Sequence, residues 1–81
     1  MKLPRDESGA SLIKKLSLLG YSVTRQKGSH IRLTVTIHET EHHITIPNHD
    51  PIKIGLLAKI LSDVATQLEI TKVELLEMLN E

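Results

Sequence analysis

The side chains of this chain that can move protons and hold anions gather near its middle. His30 and Arg32 stand two apart in the run Lys27-Gly28-Ser29-His30-Ile31-Arg32-Leu33-Thr34-Val35-Thr36-Ile37. A neutral imidazole can act as a general base, and a guanidinium beside it can stabilise charge that develops on a phosphate oxygen. Lys27 adds a cation, and the backbone N–H groups of Gly28 and Ser29 are further anion donors. All five histidines lie between His30 and His49, so His43 and His49 are auxiliary candidates for acid–base work. The adjacent pair His42-His43 suggests a metal, but neighbouring strand residues point to opposite faces and cannot ligate one ion together. No cluster of Asp and Glu suits a two-metal nuclease. The expectation is therefore no metal and no cofactor.

The elements that position these groups follow from periodicity. Lys27-Gly28 marks a turn, because glycine accepts positive φ without steric cost. After it Ile31, Leu33, Val35 and Ile37 alternate with polar residues, which predicts a half-buried strand over 29–37 with His30 and Arg32 on its open face. Tyr21 to Gln26 reads as a strand before the turn, with Tyr21 and Val23 on one face. His42 to Ile46 reads as a third strand, with Ile44 and Ile46 inward and His43 and Thr45 outward. The stretch His38-Glu39-Thr40-Glu41 between them reads as a polar loop. Short connections make the three an antiparallel meander.

Helices flank this meander. Ser8 is a candidate N-cap for a helix over about 9–19, whose Leu12, Ile13, Leu16 and Leu19 form one stripe and which Gly20 stops. Pro47-Asn48-His49-Asp50-Pro51 breaks the chain. Ile54, Leu57, Ala58, Leu61, Val64, Ala65 and Leu68 then predict a long amphipathic helix over about 53–68. Lys53 at its start is a candidate anion contact. Thr71 with Glu74 forms a capping box for a last helix over about 72–80. The order is α-β-β-β-α with a short extra C-terminal helix, an α+β fold whose helices share one sheet face.

Bulk properties narrow the classes. Eighty-one residues imply one domain over 1–81. Without Phe or Trp, and with Tyr21 as the one aromatic residue, the core must be built from Leu, Ile and Val. There is no cysteine, which excludes a disulfide framework and fits a cytoplasmic protein. No apolar run approaches the roughly 18 residues of a membrane span. Ten basic residues balance ten acidic ones, but the charge is uneven: residues 1–50 carry +2 and residues 51–81 carry −2.

Particular residues within this order resemble the HicA family of bacterial toxins. They are Lys2-Leu3-Pro4-Arg5-Asp6 with Ser8-Gly9, Leu19-Gly20-Tyr21, the run Arg25 to Leu33, Ile44 to Asp50, and Gly55 with Lys59-Ile60-Leu61. The Gly-Ser-His turn-plus-strand and the Pro-Asn-His loop carry most of the likeness, which reaches to about Leu61. Gly55-Leu56 stands where the family usually has a Gly-Thr pair. The resemblance implies a double-stranded-RNA-binding-like fold. It also implies a metal-independent endoribonuclease that cuts mRNA, with His30 catalytic and a HicB-like antitoxin as protein partner. On that reading Lys27, Gly28, Ser29, Arg32 and Lys53 contact RNA, and the RNA 2′-OH is the nucleophile. A second class stays open: a non-catalytic RNA-binding or protein-interaction module on the same scaffold.

Overall fold

The computed structural model of the protein describes residues 6–79. The resembling residues Lys2 to Arg5 and the expected helical end at Asn80 lie outside that range. The order is α1 (Gly9–Ser17), β1 (Ser22–Lys27), β2 (His30–Ile37), β3 (Thr40–Pro47), α2 (Ile54–Leu68) and α3 (Lys72–Leu79). The strands form one antiparallel sheet in the order β1-β2-β3. This is the expected α-β-β-β-α pattern with its extra C-terminal helix.

The sheet sorts its residues by alternation. Ile31, Leu33 and Val35 of β2, with Ile44 and Ile46 of β3, are buried against the helices. His30, Thr36, His43 and Thr45 are exposed on the other face, with Arg32 and Thr34 half-buried there. Leu12 and Leu16 of α1 and Leu57, Ile60, Leu61, Val64 and Ala65 of α2 complete the core, and Leu75, Leu76 and Leu79 of α3 extend it. The α2 stripe is wider than its spacing predicts, taking in Ile60 while leaving Ile54 half in solvent. The cause is that α2 packs against both β3 and α3, so it buries two flanks rather than one.

Local chemistry closes the elements. The Ser8 hydroxyl accepts the Ser11 N–H at 3.1 Å, which caps α1. Thr71 and Glu74 bond each other's backbone N–H groups, both at 3.0 Å. The Thr71 N–H bond holds the Glu74 carboxyl below its ordinary range. Glu7, itself buried, takes the Lys15 ammonium at 2.7 Å and also accepts from the Ser11 hydroxyl. The Tyr21 hydroxyl donates to Gln67 of α2 at 2.7 Å, and Gln67 donates to the His43 carbonyl at 3.1 Å, so one amide ties α2 to two parts of the chain.

One connection and one strand differ from their sequence reading. The β2–β3 link is not a four-residue loop but a two-residue turn: His38 and Glu39 have φ of 51° and 65°, and Ile37 pairs with Thr40. A primed turn of this kind usually advertises itself through glycine or asparagine, which this one lacks. Val23 pairs with Leu33 yet is 53% exposed, whereas Tyr21 is buried. β1 is an edge strand that the helices leave partly uncovered.

Candidate functional site

The site is built on the β1–β2 hairpin. Gly28 has φ +60°, so Gly28-Ser29 closes a two-residue turn and Lys27 faces His30 across it. From that pair the register runs Gln26 to Ile31 and then Arg25 to Arg32, with a bulge between Val23 and Arg25. Directly opposed residues in an antiparallel pair project to the same side. Lys27, His30, Arg25 and Arg32 are therefore gathered on the open face, where together with Thr45 they line a shallow basin of about 200 Å³. Among the described residues no carboxylate lies within 4 Å of any of its cations. The basin is thus positive and unpaired, the arrangement that attracts a phosphate.

The loop after β3 supports the rim of this basin. Pro47 pairs with His30, and the Asn48 N–H donates to the Ser29 carbonyl at 2.7 Å. The Gly9 N–H donates to the His49 carbonyl at 2.8 Å. A Cβ on Gly9 would lie 2.3 Å from the Pro47 carbonyl oxygen, so only glycine lets α1 approach the loop this closely. The loop that carries His49 is held between the catalytic candidate's turn and the start of α1.

The remaining candidates are distributed around this centre. His43 pairs with Thr34, four residues along β2 from His30, which is about 13 Å along the strand. Its Nδ1 lies 2.8 Å from the Thr34 hydroxyl, which lies 2.8 Å from the Thr24 hydroxyl, a polar line across all three strands. Lys53 is exposed at the N-terminus of α2, where no side chain caps the helix and no acidic residue occupies the first turn. It lines neither the basin nor the larger groove beside it. That groove, about 470 Å³, runs from Arg32 and Thr45 past β3 to Leu56, Lys59 and Asp63 on α2.

Arg25 is the site residue that sequence reasoning passed over. The signal was present: a two-residue turn at Gly28-Ser29 forces Arg25 opposite Arg32. Counting back from the turn finds it; reading each strand by itself does not.

Comparison with known proteins gives one match. A family model described as the HicA toxin of bacterial toxin-antitoxin covers residues 9–68, which takes in α1, the whole sheet and α2. No curated protein and no solved structure gave a match to this chain. No helix among the described residues is long and apolar enough to cross a membrane.

Proposed function

The chain belongs to the HicA toxin family of bacterial toxin–antitoxin systems, and on that premise we propose that it is a metal-independent endoribonuclease acting on mRNA with His30 as its catalytic residue. The observation that carries this reading is the basin itself: an exposed imidazole on a rigid strand, ringed by Arg25, Lys27 and Arg32 with no acidic partner among the described residues. In this mechanism the His30 imidazole takes the proton of a 2′-OH, and the 2′-oxygen attacks the neighbouring phosphorus. Arg32 and Arg25 stabilise the charge gathering on the non-bridging oxygens, while Lys27 and the Gly28 and Ser29 N–H groups hold the adjoining phosphate. The bond to the 5′-oxygen then breaks, leaving a 2′,3′-cyclic phosphate and a 5′-hydroxyl. His49 is the better-placed auxiliary acid, since its loop is bonded to the Ser29 turn, whereas His43 stands further along the sheet.

The antitoxin in this reading is HicB-like and inhibits by lying over the open sheet face, with acidic or carbonyl groups against the basin's cations. The cell's mRNA pool places the activity in the cytoplasm.

The test is incubation of the purified protein with RNA in EDTA, followed by analysis of the new ends. Cyclic phosphate ends are expected from the wild type, and His30→Ala should cut about 10²–10⁴-fold more slowly. Its stability should move by only about 0.5 kcal/mol, as at an ordinary surface position. Leu33→Ala, on the buried face of the same strand, should instead cost about 2–5 kcal/mol. A folded His30→Ala protein that still cuts at the wild-type rate removes the catalytic assignment and leaves an RNA-binding module.

A further inference from the structure

The cleavage chemistry leaves the groove beside the basin unused. It shares Arg32 and Thr45 with the basin, so whatever fills it adjoins whatever sits at His30. Its volume of about 470 Å³ falls in the range of sites for small organic groups. Ile44 and Ile60 form an apolar floor, and Leu56 stands over it 39% exposed. At the α2 end Lys59 and Asp63 sit one helical turn apart, both lining the groove, without an ion pair joining them. Arg32 Nε is buried and has no hydrogen-bond partner among the described residues. A buried donor left unpaired in a native fold calls for a ligand or another explanation.

We propose that this groove receives one unpaired guanine base, next to the phosphate held at His30. The inference rests on the ribonuclease reading above and names the base that the enzyme selects. Guanine presents two adjacent N–H donors beside a carbonyl acceptor on its pairing edge. A carboxylate accepts two such bonds at once and an ammonium donates one. Asp63 and Lys59 supply that complement from consecutive turns of one rigid helix. The flat faces of the base meet Leu56 and the guanidinium of Arg32. No Phe, Tyr or Trp platform is available, because the one such residue of the chain, Tyr21, is buried in the core; the ring that lines the groove is the exposed imidazole of His43. A base within a duplex has its pairing edge occupied, so the site takes single-stranded RNA. Leu56 then adds apolar contact at a place where threonine would have offered little.

The experiment uses the wild-type protein and uridine oligoribonucleotides carrying one central guanine, adenine or cytosine, with cut positions and rates read on a gel. Cleavage beside guanine should be at least about tenfold faster than beside the other bases, the discrimination typical of a good bidentate contact. Annealing a complementary strand should abolish it. Asp63→Asn should equalise the rates and Lys59→Gln should reduce the preference, with melting curves of both variants unchanged from wild type. Equal cutting of all oligonucleotides, preference for another base, a guanine preference that survives Asp63→Asn, or equal cutting of the duplex each overturns the guanine site and leaves the ribonuclease standing. Failure to cut any RNA overturns both readings.

Discussion

Exchanging glycine for alanine should have opposite signs at two positions, and the structure gives both magnitudes. At Gly9 an added Cβ would lie 2.3 Å from the Pro47 carbonyl oxygen and 2.9 Å from the Asn48 Cα, both backbone atoms. Backbone cannot swing aside as a side chain can, so α1 and the 47–49 loop must separate. That separation stretches the 2.8 Å bond from the Gly9 N–H to the His49 carbonyl. Overpacking of this kind costs about 1–3 kcal/mol and the lost bond about 1 kcal/mol more. The total of roughly 2–4 kcal/mol corresponds to a fall in Tm of roughly 10–25 °C for a domain this small. At Gly55, in the first turn of α2, nothing lies within 4 Å of an added Cβ. Gly55→Ala should therefore stabilise by about 0.4–1 kcal/mol, through the smaller entropy of the unfolded chain. Thermal melts followed by far-ultraviolet circular dichroism compare the two variants with wild type. Cleavage should fall in Gly9→Ala measured well below its Tm, because the loop beside His30 has moved. A Gly9→Ala protein melting within about 2 °C of wild type would refute the close-approach argument.

Other consequences can be checked with standard assays. Lys27→Ala, Arg32→Ala and Arg25→Ala should each weaken RNA binding and lower the slope of log affinity against log salt by about one unit, and Lys53→Ala should do the same if RNA reaches the start of α2; slopes unchanged in all four put the RNA elsewhere. Burial pushes the Tyr21 hydroxyl up to about 12, so phenolate absorbance, free of interference from any other tyrosine or tryptophan, should titrate near that value. The stability linked to this group is complete below about pH 10, where both states are protonated, and is lost as pH rises toward the folded value; a midpoint near 10 with the fold retained contradicts the burial argument. In a complex with its antitoxin, hydrogen exchange should slow in residues 27–36, whereas protection confined to α3 would mean that inhibition does not work by covering His30.

Much of the fold was legible because its signals are local. The alternation from Ile31 to Ile37 decides which side chains of β2 meet the core, since successive residues on a strand must face opposite ways. The Ser8 cap, the Thr71–Glu74 box and the apolar spacing along α2 are likewise interactions between residues at most a few turns apart, and each is found where the residue types demand it. The same locality explains why His30 and Arg32 could be placed together on an open face. What lay beyond the sequence depends on pairing between distant segments. Arg25 could be found by counting back from the Gly28-Ser29 turn, but only pairing across the hairpin, and neither strand by itself, puts it opposite Arg32. The tight His38-Glu39 turn is imposed by the β2–β3 ladder rather than by a glycine or asparagine at either position. Gly9 matters through a backbone more than thirty residues away, and the groove exists only where α2 crosses the edge of β3. Residue type and spacing determine which face a side chain takes, because that is set by backbone geometry within one element. Which faces meet, and what space they leave between them, was decided only by how the whole apolar surface packs at once.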